Sequence, residues 1–83
     1  NFNTVDNRVK ELNIDFYSST GCGFCTRSKE LFQQQGVENF INVLENKQLP
    51  NGVRGYPHFV SKSTGKSHTG APSSVEFLIN KLS

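Results

Sequence analysis

Long apolar runs, clustered charge and a cysteine framework are all missing from this sequence. No stretch approaches the roughly 20 apolar residues that a membrane-spanning helix requires, so no membrane partner is expected. The first residues, Asn1-Phe2-Asn3-Thr4-Val5-Asp6, have neither the basic start nor the apolar core of a signal peptide. The expected setting is therefore the cytoplasm. A formal net charge of +2, with Lys and Arg dispersed along the chain, leaves no basic stripe of the kind that tracks a phosphate backbone. No nucleic-acid partner is expected. The two cysteines are too few and too close together for a disulfide scaffold. Closing so short a loop would restrict the unfolded chain by about 2 kcal/mol at most, so stability does not account for the pair.

What is present is enough for one small core. The 83 residues bound the reading to a single domain over residues 1–83, and a monomer is expected. Apolar residues make up only 34% of the chain, but seven Phe and two Tyr each bury a large area, so folding needs no metal or cofactor.

The periodicities predict an ordered series of elements. Val5, Val9 and Leu12 fall at helical spacing over residues 3–12, with Asp6 four positions before Lys10, and Asn13 ends the segment. Ile14-Asp15-Phe16-Tyr17-Ser18 reads as a strand that runs into the turn Ser19-Thr20-Gly21. A helix then opens at Cys22 or Gly23, with Phe24, Ser28, Leu31, Phe32 and Gln35 on one face, Arg27, Lys29 and Glu30 outside, and Gly36 as its C-cap. Phe40 to Leu44 reads as a second strand, parallel to the first across a βαβ connection. Turn residues crowd Asn46 to Gly55, leaving room for at most one helical turn. His58 to Ser61 and Ser67 to Thr69 flank a turn carrying Gly65 and read as a hairpin. The last helix shows Val75, Leu78, Ile79 and Leu82 at core spacing behind a capping box of Ser73 and Glu76. The order is that of an α/β sandwich with a small mixed sheet.

The cysteines sit where a strand feeds a helix. A helix N-terminus offers unpaired amides and partial positive charge, which favour a thiolate. Cys22 is so placed and is the expected nucleophile, while Cys25, one turn further in, is the expected resolving thiol. Arg27 and Lys29 either raise the local potential or simply form a solvated face, and the second is the simpler reading. A zinc site would need His58 and His68 as further ligands, but these stand ten residues apart, so no metal is expected and both histidines are expected on strand surfaces.

The segment Tyr17-Ser18-Ser19-Thr20-Gly21-Cys22-Gly23-Phe24-Cys25-Thr26-Arg27-Ser28-Lys29-Glu30-Leu31-Phe32 resembles a glutaredoxin, with Gly23 and Phe24 in place of the usual Pro and Tyr of C-P-Y-C. Val53-Arg54-Gly55-Tyr56-Pro57-His58-Phe59-Val60, followed by Thr64-Gly65-Lys66 and Gly70, resembles the cis-proline loop and hairpin of thioredoxins. The resemblance spans residues 13–82. It implies a thioredoxin fold: a mixed four-stranded sheet flanked by helices, with the helix before the cis-proline reduced or missing because the stretch from Gly36 to Pro57 is short. It also implies Pro57 as the cis-proline close to Cys22, and Gly23, Phe24, Tyr56, Pro57, Thr69 and Gly70 as substrate-binding residues. The implied activity is dithiol reduction of protein or glutathione mixed disulfides. No bound cofactor is implied; glutathione is the candidate reductant, with a glutathione or thioredoxin reductase system behind it.

Two departures keep alternatives open. Glutaredoxins usually carry Gly-Gly and an acidic residue before the last helix, where this chain has Thr69-Gly70-Ala71-Pro72-Ser73-Ser74. Ser73 and the helix N-terminus could still hold a carboxylate. Thioredoxins usually have Trp where Gly21 stands, and Asp15 lies one residue too far from Cys22 to match their buried acid. A thioredoxin-type reductase and a non-catalytic peptide-binding module are the alternatives.

Overall fold

A computed structural model describes residues 4–83. The order is α1 (Thr4–Leu12), β1 (Ile14–Ser18), α2 (Gly23–Gln35), a 3-10 turn (Glu38–Phe40), β2 (Ile41–Glu45), β3 (His58–Ser61), β4 (Ser67–Thr69) and α3 (Val75–Leu82). Asn3, which the periodicity includes in the first helix, lies outside the described residues. The strands form one sheet in the order β2-β1-β3-β4, with β1 parallel to β2 and antiparallel to β3, and β3 antiparallel to β4. This is the mixed four-stranded α/β arrangement of a thioredoxin-like fold.

Alternation along β1 decides which face is which. Ile14, Phe16 and Ser18 are buried, while Asp15 and Tyr17 are only partly covered. Register carries the buried set across the sheet, pairing Phe16 with Phe59 and Ile14 with Ile41. On that face Val9 and Leu12 of α1, Cys25 and Phe32 of α2, and Val75, Leu78, Ile79 and Leu82 of α3 close a single core. Its centre is aromatic: Phe16 stacks on Phe59 at 4.8 Å, and Phe32 meets both rings edge-on at 5.6 and 5.9 Å. Each such pair contributes about 0.5–1.5 kcal/mol beyond its buried area.

All three helices feed this one core, and the stretch between β2 and β3 forms turns rather than a helix. The helix before Pro57 is absent, as its short allowance of chain requires. The opposite face of the sheet carries Asp15, which accepts from Asn42 Nδ2 at 3.1 Å and faces Lys62 Nζ at 3.6 Å. Asp15 therefore points away from the cysteines and cannot stand in for a buried acid beneath them.

Several local expectations need correction. β2 begins at Ile41, because Phe40 belongs to the 3-10 turn and packs under Lys10 Nζ, 4.6 Å from its ring. The cap of α3 is Ser74, whose Oγ accepts the Phe77 amide at 3.0 Å, so Ser73 and Glu76 do not form a capping box. Phe24 is 61% exposed and Gln35 is exposed, so neither belongs to the buried face of α2. His58, expected on a strand surface, is buried and pairs through Nδ1 with Thr69 Oγ1 at 2.9 Å.

Candidate active site

The turn after β1 places the cysteines. Gly21 takes φ +83°, a region other residues avoid, and this lets the chain reverse directly into α2. Asn46, just past β2, braces the turn: its amide donates to Ser18 O at 2.7 Å, its Oδ1 accepts from Thr20 N at 2.9 Å, and its Nδ2 donates to Thr20 Oγ1 at 2.8 Å. Sequence reasoning gave Asn46 no such role; a lone Asn in a turn-rich stretch carries no signal for a contact 26 positions away.

Cys22 is the N-cap of α2, with extended backbone at φ −84° and ψ 109°, and its Sγ accepts the Cys25 amide at 3.1 Å. A sulfur thus occupies the place where serine or aspartate oxygens usually serve. Cys22 is partly exposed, whereas Cys25 is buried in the core, and both are free thiols. Burial pushes the Cys25 thiol up, and its hydrogen bond with Cys22 adds to the rise; the Ser19 backbone and the Ser18 hydroxyl pull the other way. The result is one accessible sulfur backed by a buried one whose protonated form is favoured.

A groove of about 610 Å³ opens between the start of α2, the Pro57 loop and the approach to α3. Phe24, Arg27, Leu31, Tyr56, Pro57 and Gly70 form most of its wall, with Ala71 to Ser73 at one end. The Tyr56–Pro57 bond is cis, the Pro57 carbonyl accepts the Gly70 amide at 2.8 Å, and Tyr56 Oη donates to Lys47 O at 2.9 Å, which fixes this wall. The groove is mainly apolar, with the Arg27 guanidinium 5.9 Å from the Phe24 ring as its cation.

Of the expected substrate-binding residues, Phe24, Tyr56, Pro57 and Gly70 share this groove, and Gly23 stands exposed beside it at the first position of α2. Thr69 does not line it. Strand alternation turns its side chain to the other face of the sheet, where it meets His58. Arg27, Leu31, Ala71 and Pro72 were not expected to form the wall, whereas Ser73, offered by the sequence as a holder for a carboxylate, does line it; the spacing of Arg27 and Leu31 after Phe24 is the signal that could have shown their place. Among the described residues, no three Cys, His, Asp or Glu side chains cluster as a metal ion would require.

No curated protein sequence matches the chain. The family profile described as Glutaredoxin matches residues 14–60, which run from β1 through the cysteine pair and the cis-proline into β3. That match covers more than half of the sequence and encloses the redox pair described above, so the chain belongs to the glutaredoxin family, whose domain carries thiol–disulfide oxidoreductase chemistry.

Proposed function

We propose that this protein is a dithiol electron carrier that reduces protein or glutathione mixed disulfides in the reducing cytoplasm, with Cys22 attacking and Cys25 resolving. The observation that carries the reading is the asymmetry of the two sulfurs: Cys22 is partly exposed with an amide aimed at its Sγ, and Cys25 is buried directly behind it. In the first step Cys22 attacks the substrate disulfide, forming a mixed disulfide and expelling one thiolate. In the second, Cys25 attacks Cys22 Sγ, releasing the other thiol and closing the Cys22–Cys25 bond. Two molecules of glutathione would then return both thiols and leave as glutathione disulfide.

The groove supplies the binding side of the proposal. Phe24 and Leu31 offer apolar contact, the Tyr56–Pro57 backbone suits an extended peptide, and Arg27 at one point and Ser73 at the other could each meet a carboxylate. A second reading, in which a reductase rather than glutathione restores the thiols, draws on one observation: no acidic side chain lines the groove where a glutathione amino group would seek one.

Turnover of a small glutathione mixed disulfide, driven by glutathione and its reductase and run beside an assay driven by thioredoxin reductase, separates the readings. Activity with glutathione is the expected result. Activity only with thioredoxin reductase would move the donor to the second reading, and inactivity in both, with thiols that do not cycle, would leave a peptide-binding module.

A further inference from the structure

Ser18 is the last residue of β1 and is completely buried, yet its Oγ has no hydrogen-bond partner among the described residues. A buried hydroxyl left without a fixed partner carries its desolvation penalty uncompensated, and replacing it by an apolar group of similar shape is close to neutral for folding. The other buried serines do not share this condition: Ser61 Oγ donates to Leu12 O at 2.6 Å, and Ser28 Oγ to Phe24 O at 3.0 Å.

Two ionisable groups, Cys25 and Glu45, stand near Ser18. Its side chain is on the helix-covered face of β1, as the shared burial of Ile14 and Phe16 requires, and Cys25 is the first buried residue of α2 above that face. Across the ladder, Ser18 pairs with Glu45 at the end of β2. Glu45 is held there by Lys29, 2.8 Å away, and Lys29 follows Cys25 by one helical turn on α2. The Ser18 hydroxyl acts on both groups, favouring ionised Cys25 and ionised Glu45. The charged and titratable groups around it are Cys22 and Lys29 from α2 and Glu45 from β2, while β3 contributes Phe59 on this face and α3 only apolar core residues.

We propose that Ser18 is a positioning residue for the resolving step: its hydroxyl, without a partner at rest, turns to the Cys25 sulfur as that thiol ionises, and so stabilises the buried thiolate that attacks Cys22. Balance is simple. The Cys25–H bond and the Cys22–substrate S–S bond break, the Cys22–Cys25 S–S bond forms, and the proton ends on the departing substrate thiol. Ser18 keeps its own proton throughout and contributes only a hydrogen bond. A buried hydroxyl with no fixed partner in the resting state is free to serve that thiolate. The inference rests on the dithiol reading above.

The test compares the parent chain, Ser18→Ala and Ser18→Thr. Each is charged with glutathione on Cys22 using glutathione disulfide, and release of glutathione as the Cys22–Cys25 bond closes is followed against pH; thermal midpoints are recorded beside it. Ser18→Ala should unfold at the parent temperature, close the disulfide about tenfold more slowly at neutral pH, and shift the pH profile of closure upward. Ser18→Thr, which keeps the hydroxyl, should return both rate and profile toward the parent. An unshifted profile in Ser18→Ala, or a folded Ser18→Thr that does not recover, overturns the role of Ser18. A parent chain that never closes the bond instead overturns the dithiol reading.

Discussion

Cys25 is buried and Cys22 is only partly covered, and under the proposed mechanism this difference gives separate work to two sulfurs one helical turn apart. Cys22→Ser should abolish turnover of a mixed disulfide, whereas Cys25→Ser should leave Cys22 carrying the substrate half, visible as an adduct in the intact mass. Equal adduct formation by both variants would contradict that assignment. Phe24 makes a separate prediction. Its ring is 61% exposed, so Phe24→Ala should leave the denaturation midpoint unchanged, while loss of about 1 kcal/mol of apolar contact should raise KM roughly fivefold. A large loss of stability would return Phe24 to the core. The placement of the cysteines was legible because a strand running into a helix positions them. The exposure of Phe24 and the burial of His58 were not legible: an aromatic at helical spacing reads as part of the buried face even where the resemblance makes it a binding residue, and a histidine on a strand reads as surface until the Thr69 contact is seen.

At the scale of elements, β1, β3 and β4 stand where alternation and bounding turns place them, and Gly36 closes α2 at φ +72°. The errors occur where neighbouring residues are chemically alike. Ser73 and Ser74 are equally good caps by type, and only the path of the chain out of Pro72 selects Ser74. This choice can be checked by mutation: Ser74→Ala should cost about 1 kcal/mol in chemical denaturation, while Ser73→Ala should cost close to nothing. The reverse ranking would restore the capping box. Phe40 likewise looks like the first residue of a strand, yet it closes the 3-10 turn, with its ring beneath Lys10. Gly21 and Asn46 together show what single-segment reading misses, since a turn can be permitted locally and still be held by a contact from a distant strand.

For the molecule as a whole, the two histidines are the groups that respond to mild acid. Burial, followed by the charge of His68, holds His58 below its ordinary 6.5, and burial, followed by Lys81, does the same to His68. The unfolded chain therefore takes up these protons at higher pH than the folded one, so stability is full above about pH 6.5 and falls as pH drops. Glu45, held low first by its hydrogen bond to Lys29, adds a small loss in the same direction below its ordinary 4.5. Cys25 acts at the other end: its raised value means that above about pH 9.0 the unfolded thiol ionises first and stability declines again. Thermal midpoints should therefore form a plateau between these limits, and a midpoint that rises on acidification below pH 6.5 would contradict the burial of the histidines. The measurement that bears most directly on the central claim is a single turnover: the reduced protein is mixed with one equivalent of glutathione disulfide, quenched in acid at intervals and mapped by peptide mass. The predicted result is glutathione first on Cys22 and then an internal Cys22–Cys25 disulfide with glutathione released; glutathione first on Cys25, or on neither cysteine, would contradict it.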